Sequence, residues 1–400
     1  MKTTPVAVVL VSLILFGGVP ARGAPPILDV LQAQNLAPDV CAAFEFEGSY
    51  DPTYAAPDFP LQPDTRWGEP TETVLPGAPA FVEGHSGQGL LVEDGTTNLL
   101  TASTSGEAEN LADFLPLHGA KLALDTDQPL TGDKSLKVTA PGKVSGEGFY
   151  LALSGTTGQA LAGSLSLRGS GVLCVRLFDM QNYLPGAPVY VTLTPEWRRY
   201  TVPALQLETA DSADVRLLVT TAGAAPATFW ADALQVEPRS YATSWIPGGM
   251  TRQDRQILYP FTTDAWKLKE GTIFMWARLN WDQGTTLAKS REFLTTTPGE
   301  PGLYWSYYNR LHSIGVGGYP AANGGNPFAG GWHFFATTWS PTGTALLHNE
   351  VYATGEKGAE LAKATAFRLG PNCNAVLDQW VILKRALTKA ELQAIYTATR

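Results

Sequence analysis

Residues able to do chemistry are thinly spread along this chain. Glu45 and Glu47 stand two apart in AAFEFE, on one face of a strand. Sugar-bond hydrolysis needs two carboxylates flanking the scissile bond. Here Phe44 and Phe46 claim the opposite face as core, which leaves both acids on the solvated side. Asp378, in AVLDQWVIL, is a single acid flanked by Leu377 and Gln379. A hard carboxylate can hold calcium, but one acid is not a site; the alternative is a carboxylate accepting backbone hydrogen bonds near a sheet edge. The five histidines, at 85, 118, 312, 333 and 348, are scattered. His333 sits beside Trp332 in a strand and reads as a packing residue. There is no G-x-S-x-G, no H-E-x-x-H and no C-x-x-C.

Chemistry of recognition is better represented. Segment 303–326 carries Trp305, Tyr307, Tyr308 and Tyr319, interleaved with Asn309, Arg310, His312, Asn323 and Asn326. Aromatic faces with a few placed amides and charges are what a sugar ring requires. The competing reading puts Trp305 and Tyr307 into a core and makes the Gly/Asn run a hairpin loop. A second stretch, 176–183 (RLFDMQNY), offers Arg176, Asp179, Asn182 and Tyr183.

Strands must position these groups. In GGWHFFATTWS (330–340), Trp332, Phe334 and Ala336 fall on one face and Phe335 and Trp339 on the other, the mark of a strand buried on both sides. GTIFMWARLNW (271–281) and Ala375–Leu383 are of the same kind. Between them and the N-terminal third lie short strand signals at 135–139, 148–153, 171–178, 189–193, 197–202, 215–220 and 228–236, evenly spaced as in a sandwich. At the end, Thr388 with Glu391 forms a capping box that opens a helix whose Leu392, Ile395 and Tyr396 share one face. The expected fold is all-β: two β-sandwich domains with a short C-terminal helix.

The segments GTI-x-x-W, WHFFATTW and D-x-x-x-I-x-x-R-A-L-T-x-x-E-L, with AAFEF and GQGLLV nearer the start, resemble the concanavalin A-like, laminin-G-like jelly-roll family. TNLL (97–100), WRRYTV and TFWADALQVEPRSYATSWIPG are similar to carbohydrate-binding-module-like jelly rolls. The resemblance implies one jelly roll inserted in another. Its parts are a signal peptide (1–23), a tether (24–39), a split laminin-G-like domain (40–97 and 250–400) and an inserted module (98–249). Related glycosidases use an E-x-D-x-x-E-like strand, which is missing here. Such modules often hold a structural calcium ion, the one cofactor the resemblance raises, but TASTSGEAEN stands where their usual Asn–Pro and Phe–Glu would be. The antiparallel first and last strands that the family implies would keep Cys41 and Cys373 apart. Cys174 reads as a small buried hydrophobe, and no disulfide is expected.

Composition agrees. The chain of 400 residues has 40 Gly, 29 Pro and 16% charged residues, a turn-rich profile with room for two cores. A net charge of −9 gives nucleic acid no basic face to bind. Lys2, an apolar run at 6–16, and Ala21 and Gly23 ahead of Ala24 form an export-signal pattern; the alternative is an uncleaved anchor. No later stretch is apolar enough to span a membrane. The functional expectation is a secreted or periplasmic, non-catalytic, lectin-like protein that binds glycan at a cell surface or in a matrix. The alternatives are an adhesion protein whose jelly rolls bind other proteins, and a divergent glycoside hydrolase.

Overall fold

The computed structural model describes residues 26–400 except 47–52, 61–80, 106–109, 209, 253–256, 281–290, 298–302, 307–309, 314–330, 357, 359–360, 363 and 371–372. Its strands pair antiparallel throughout the main sheets and build two β-sandwiches.

The first sandwich is split in sequence. Its nine-stranded sheet runs in the order Tyr54–Ala55, Val40–Phe44, Ala375–Leu383, Gly271–Leu279, Trp332–Ser340, Gly343–His348 and Val351–Gly355. Gln88–Val92 pairs with the start of Ala375–Leu383, so it lies end to end with Val40–Phe44 along one edge of that strand, and Phe81–Glu83 pairs outside it. A five-stranded sheet (Ile257–Pro260, Ala366–Leu369, Arg291–Thr297, Leu303–Ser306, Arg310–Ser313) packs opposite.

Trp332–Ser340 is apolar on both faces because it separates two cores. Phe335 and Trp339 enter the inter-sheet core with Phe44, Trp380, Tyr259 and Phe367. Phe334 and Ala336 enter a second layer beneath the helices, with Phe274, Trp276 and Val381. The C-terminal helix, Lys389–Thr399, carries both halves of the capping box and buries Leu392, Ile395 and Tyr396 in that layer.

The 24–39 stretch does not behave as a tether. Ile27–Ala33 forms a helix behind Pro26, and Ile27, Val30 and Leu31 are buried beside the C-terminal helix. Pro26 sits at the helix start, where a missing N–H costs little, so it marks a boundary rather than a linker. The first strand is Val40–Phe44 rather than 42–46; Phe46 turns out at φ 51° yet stacks on Phe44 at 5.7 Å in the same core.

The central sandwich pairs a five-stranded sheet (Arg198–Gln206, Ala160–Ser170, Ala227–Glu237, Ser135–Ala140, Lys121–Asp125) with a six-stranded one. The latter runs Leu184–Pro185, Val172–Asp179, Ser212–Thr221, Gly148–Gly155 and Leu115–Leu117, with Val189–Thr192 also on Val172–Asp179. Their inner faces share one core, including Phe149, Leu167, Leu177, Leu217 and Phe229.

The two sandwiches meet at a seam. Thr96–Thr97 pairs with Thr251–Arg252, and the hydroxyls of Thr97 and Thr251 are 2.8 Å apart. Asn98 is fully buried and ties the entry to the central sandwich to its exit: its Nδ2 donates to Leu234 O, Ile246 O and Ser105 Oγ, and its Oδ1 accepts from the Leu100 and Val236 amides. Arg252 and Glu93, at 3% and 2% exposure, form a 3.3 Å ion pair, and Glu93 also accepts from the amide and hydroxyl of Ser244. Tyr241 lies beyond the central strands yet packs in the split sandwich's core and donates its hydroxyl to Asp94.

Candidate functional site

The leading stretch from the sequence is described only in part. Trp305 lies in strand Leu303–Ser306, which pairs with Arg310–Ser313 in a register that sets Tyr304 opposite His312 along the backbone. Tyr307, Tyr308, Asn309, Tyr319, Asn323 and Asn326 lie outside the described residues.

Asp378 is fully buried, in the gap where Val40–Phe44 and Gln88–Val92 abut along the strand that carries it. Its Oδ2 accepts from the amides of His85 (2.7 Å) and Ser86 (2.9 Å), and its Oδ1 from Gln379 N (2.7 Å). A Cβ on Gly84 would come within 2.7 Å of Oδ2, so the turn needs a glycine there. Burial raises the carboxyl to about 6 against those three hydrogen bonds. The His85 ring stacks on Trp276 at 3.9 Å, and its burial lowers it to about 4.

Glu45 adds to the upward push on Asp378 and accepts from the Ile27 amide. Here two acids approach beside aromatic rings, as a glycosidase would need. Asp378, however, is sealed from solvent and holds amides of its own chain with both oxygens. Among the described residues no group of three or more His, Cys, Asp or Glu could hold a metal ion, and this lone, saturated carboxylate does not fit calcium.

His333 and His348 face each other across neighbouring strands, with Nδ1 and Nε2 3.1 Å apart. Both are buried, and burial lowers them to about 4 and about 3. None of Cys41, Cys174 and Cys373 is in a disulfide. Cys41 lies at a bulge opposite Ile382–Leu383, and Cys373 precedes the far end of that strand, well over the ~7 Å limit for bridging at ~3.3 Å of rise per residue.

The second stretch, 176–183, is pulled apart by the fold. Asp179 is fully buried. It accepts from the Gln181 and Asn182 amides, from Asn182 Nδ2 at 2.7 Å and from Ser212 Oγ at 2.6 Å. These bonds hold its carboxyl below the usual carboxylate range although burial opposes them. Asp179 and Asn182 thus lock a turn, at the side of an open groove of about 370 Å³ floored by Leu205 and Leu207. Tyr183 projects from the turn at 79% exposure and φ 53°.

Arg176 belongs elsewhere. It lies on the outer face of the six-stranded sheet, where burial alternates strictly: Leu173, Val175 and Leu177 point inward, and Val172, Cys174, Arg176 and Phe178 outward. Alternation of this kind marks a sheet with one face open to water. Register assembles the outward residues. Phe178 lies opposite Arg216, Arg176 opposite Leu218, Leu218 opposite Tyr150, and Cys174 opposite Tyr190. Arg216 stands 4.3 Å over the Tyr150 ring and is held there by Asp214 through bonds of 2.8 and 2.6 Å. The Arg176 guanidinium lies 5.2 Å over the Phe178 ring. Tyr190 is 66% exposed at one margin, and Leu115 39% at the other.

The opposite sheet has no such opening. On its outer face Ser164 and Ser166 are buried: Arg199 of the neighbouring strand donates to Ser164 Oγ, and Trp245 of the exit segment packs on Ala233. Loop 127–131 crosses farther along, donating from Leu130 and Thr131 to Asp232 and accepting from Arg168 at Asp127 O. The open face went unnoticed in the sequence because its members come from five strands that only register brings together. The outward polar and apolar positions of Val172–Asp179 and Ser212–Thr221 were its one local signal.

No protein-family model matches the chain. No curated protein matches it either. Among solved structures it is similar to a Trypanosoma rangeli sialidase (14% identity, TM-score 0.28, covering 36% of this chain and 26% of that one). It is also similar to the MgGH51 α-L-arabinofuranosidase (24% identity, TM-score 0.30, 42% and 31%) and to the CBM22-2 xylan-binding domain from Paenibacillus barcinonensis Xyn10C (14% identity, TM-score 0.27, 36% and 98%). The chain thus spans less than a third of the length of the sialidase and the arabinofuranosidase it matches. TM-scores of this size leave the fold to be argued from the chain's own strands and cores.

Proposed function

We propose that this is an exported, non-catalytic glycan-binding protein whose sugar-binding surface is the open face of the central sandwich. The observation that carries the reading is the bare sheet face on which Tyr150 and Phe178 lie beneath guanidinium groups, with Tyr190 at the margin. Flat rings offer the apolar face of a sugar a platform, and guanidinium donors fix its oxygens. The domain plan belongs to the same proposal. A laminin-G-like sandwich (40–97 and 250–400) is interrupted by an inserted module (98–249), and the pairing of Thr97 with Thr251 supports this. The export signal falls within 1–25, outside the described residues; among those described, no helix is long and apolar enough to cross a membrane.

The test is a glycan array followed by isothermal titration with the best binder. Removing Tyr150 or Phe178 by alanine substitution is expected to weaken binding by about tenfold each, ~1.4 kcal/mol of lost ring contact. Substitutions in the buried Asp179 turn serve as a contrast, since they should lower stability first. An array without a single binder, or full affinity in both ring variants, removes this face from consideration.

A further inference from the structure

The two arginines on the open face are not equivalent. Arg216 is already neutralised by Asp214, which takes both its Nε and NH2 hydrogens, so it serves to pin the Tyr150 ring. The Arg176 guanidinium lies 5.2 Å from the centroid of the Phe178 ring and, among the described residues, has no ion-pair partner. The pairings Phe178–Arg216 and Arg176–Leu218 make the two arginines diagonal neighbours, about 7–8 Å apart at the backbone. Asp214 is the acid facing this patch from the adjacent strand, and Arg216 occupies it. A protein with a net charge of −9 therefore presents an uncompensated guanidinium in the middle of an aromatic surface.

We propose that the open face selects carboxylate-bearing glycans, those containing uronic acid units, over neutral ones. The inference rests on the glycan-binding reading above. Arg176 supplies its chemistry: its guanidinium sits against the Phe178 ring, and a planar fork meets a carboxylate through two parallel hydrogen bonds. A sugar ring on Tyr150 or Phe178 brings its carboxylate to that fork, while the chain's overall negative charge works against acidic polymers that lack the ring. Ring and charge are thus recognised together.

The experiment is calorimetric titration of the full chain, at moderate salt, with oligogalacturonate, its methyl ester and its carboxyl-reduced form. Dextran sulfate and polyglutamate serve as charge controls. The acid form is expected to bind about 10–100-fold tighter than the ester or reduced form, the ratio that a charge-assisted pair supplies. Arg176→Gln should remove most of that ratio by weakening the acid form far more than the ester. Arg176→Lys should restore only part of it, because the fork is gone. Both substitutions are at a solvent-facing position, so an unchanged melting temperature checks the fold. Equal affinity for the acid and ester forms overturns the inference and leaves the glycan-binding reading intact. Equal binding of dextran sulfate or polyglutamate also overturns it, by showing charge alone to be sufficient. If none of the sugar probes binds, and the glycan array is likewise empty, both readings fall together.

Discussion

Asp378 and three histidines, His333 and His348 buried and His85 half-buried, pull the protein's acid stability in opposite directions. His85, His333 and His348 are lowered from 6.5 to about 4, 4 and 3. The unfolded chain takes up these protons near 6.5 while the folded one refuses them, so stability falls as pH drops from about 6.5 toward 4. Asp378 is raised from 3.8 to about 6, so the folded state takes its proton first and gains stability over the same window. The expected net result is a melting temperature that declines below pH 6.5. Asp378→Asn removes the one opposing contribution among these groups and should make the decline steeper. Melts from pH 7.5 to 4.5 decide this: parallel profiles for the two proteins would mean that Asp378 does not titrate there. The role of Asp378 was half visible in the sequence. In the sequence a backbone acceptor was the alternative to a calcium ligand for this lone acid, but two of its amide donors come from residues 85 and 86, far away in the chain, and only the abutting strands bring them in.

At the scale of elements, the strongest signals were those written locally. The two-faced strand Trp332–Ser340 and the Thr388–Glu391 capping box each declare themselves within a dozen residues. The helix Ile27–Ala33 was hidden because one short helix behind two prolines has too few periodic positions to stand out. Ala160–Ser170, which is hydrogen-bonded on both edges, was missed for the opposite reason. Its outward positions are Ala162, Ser164 and Ser166, small buried residues, and a Gly/Ser/Ala run reads as loop. The docked C-terminal helix can be weighed directly. Ile395 is fully buried, so Ile395→Ala is expected to cost about 2–5 kcal/mol, and deleting 385–400 should cost more, since Leu392 and Tyr396 leave with it. Denaturant midpoints test both; an unchanged midpoint after the deletion would mean that the helix does not hold the sheet.

At the scale of the molecule, the break and return that the sequence placed near 97 and 250 are adjacent strands, and Phe44 stacks on Trp380 at 4.5 Å although the two are more than three hundred residues apart. What no local pattern carried was the seam itself. Tyr241 sits within the stretch assigned to the insert yet packs in the other core, so the division between the two is shared rather than sharp. The same topology governs the cysteines. A thiol count on denatured, unreduced protein should return three; a count of one would mean that Val40–Phe44 runs the other way along Ala375–Leu383. Burial pushes the Cys41 thiol up to about 12, so in the native state it should also resist alkylation at neutral pH.

The two-stranded pairing of Thr96–Thr97 with Thr251–Arg252 has a mechanical consequence. Tension applied between the N-terminal and C-terminal helices is carried first where Val40–Phe44 and Gln88–Val92 pair with Ala375–Leu383; once these have parted, it crosses from residue 97 to residue 251 by this short ladder and the backbone bonds of Asn98 to Gly249 and Met250. It does not run through the central sandwich, which hangs from the load path as a side loop. That sandwich feels force only once the clasp has opened, and the rate of that opening, rather than the sandwich's own unfolding, sets how long its exposed face stays intact under a steady pull.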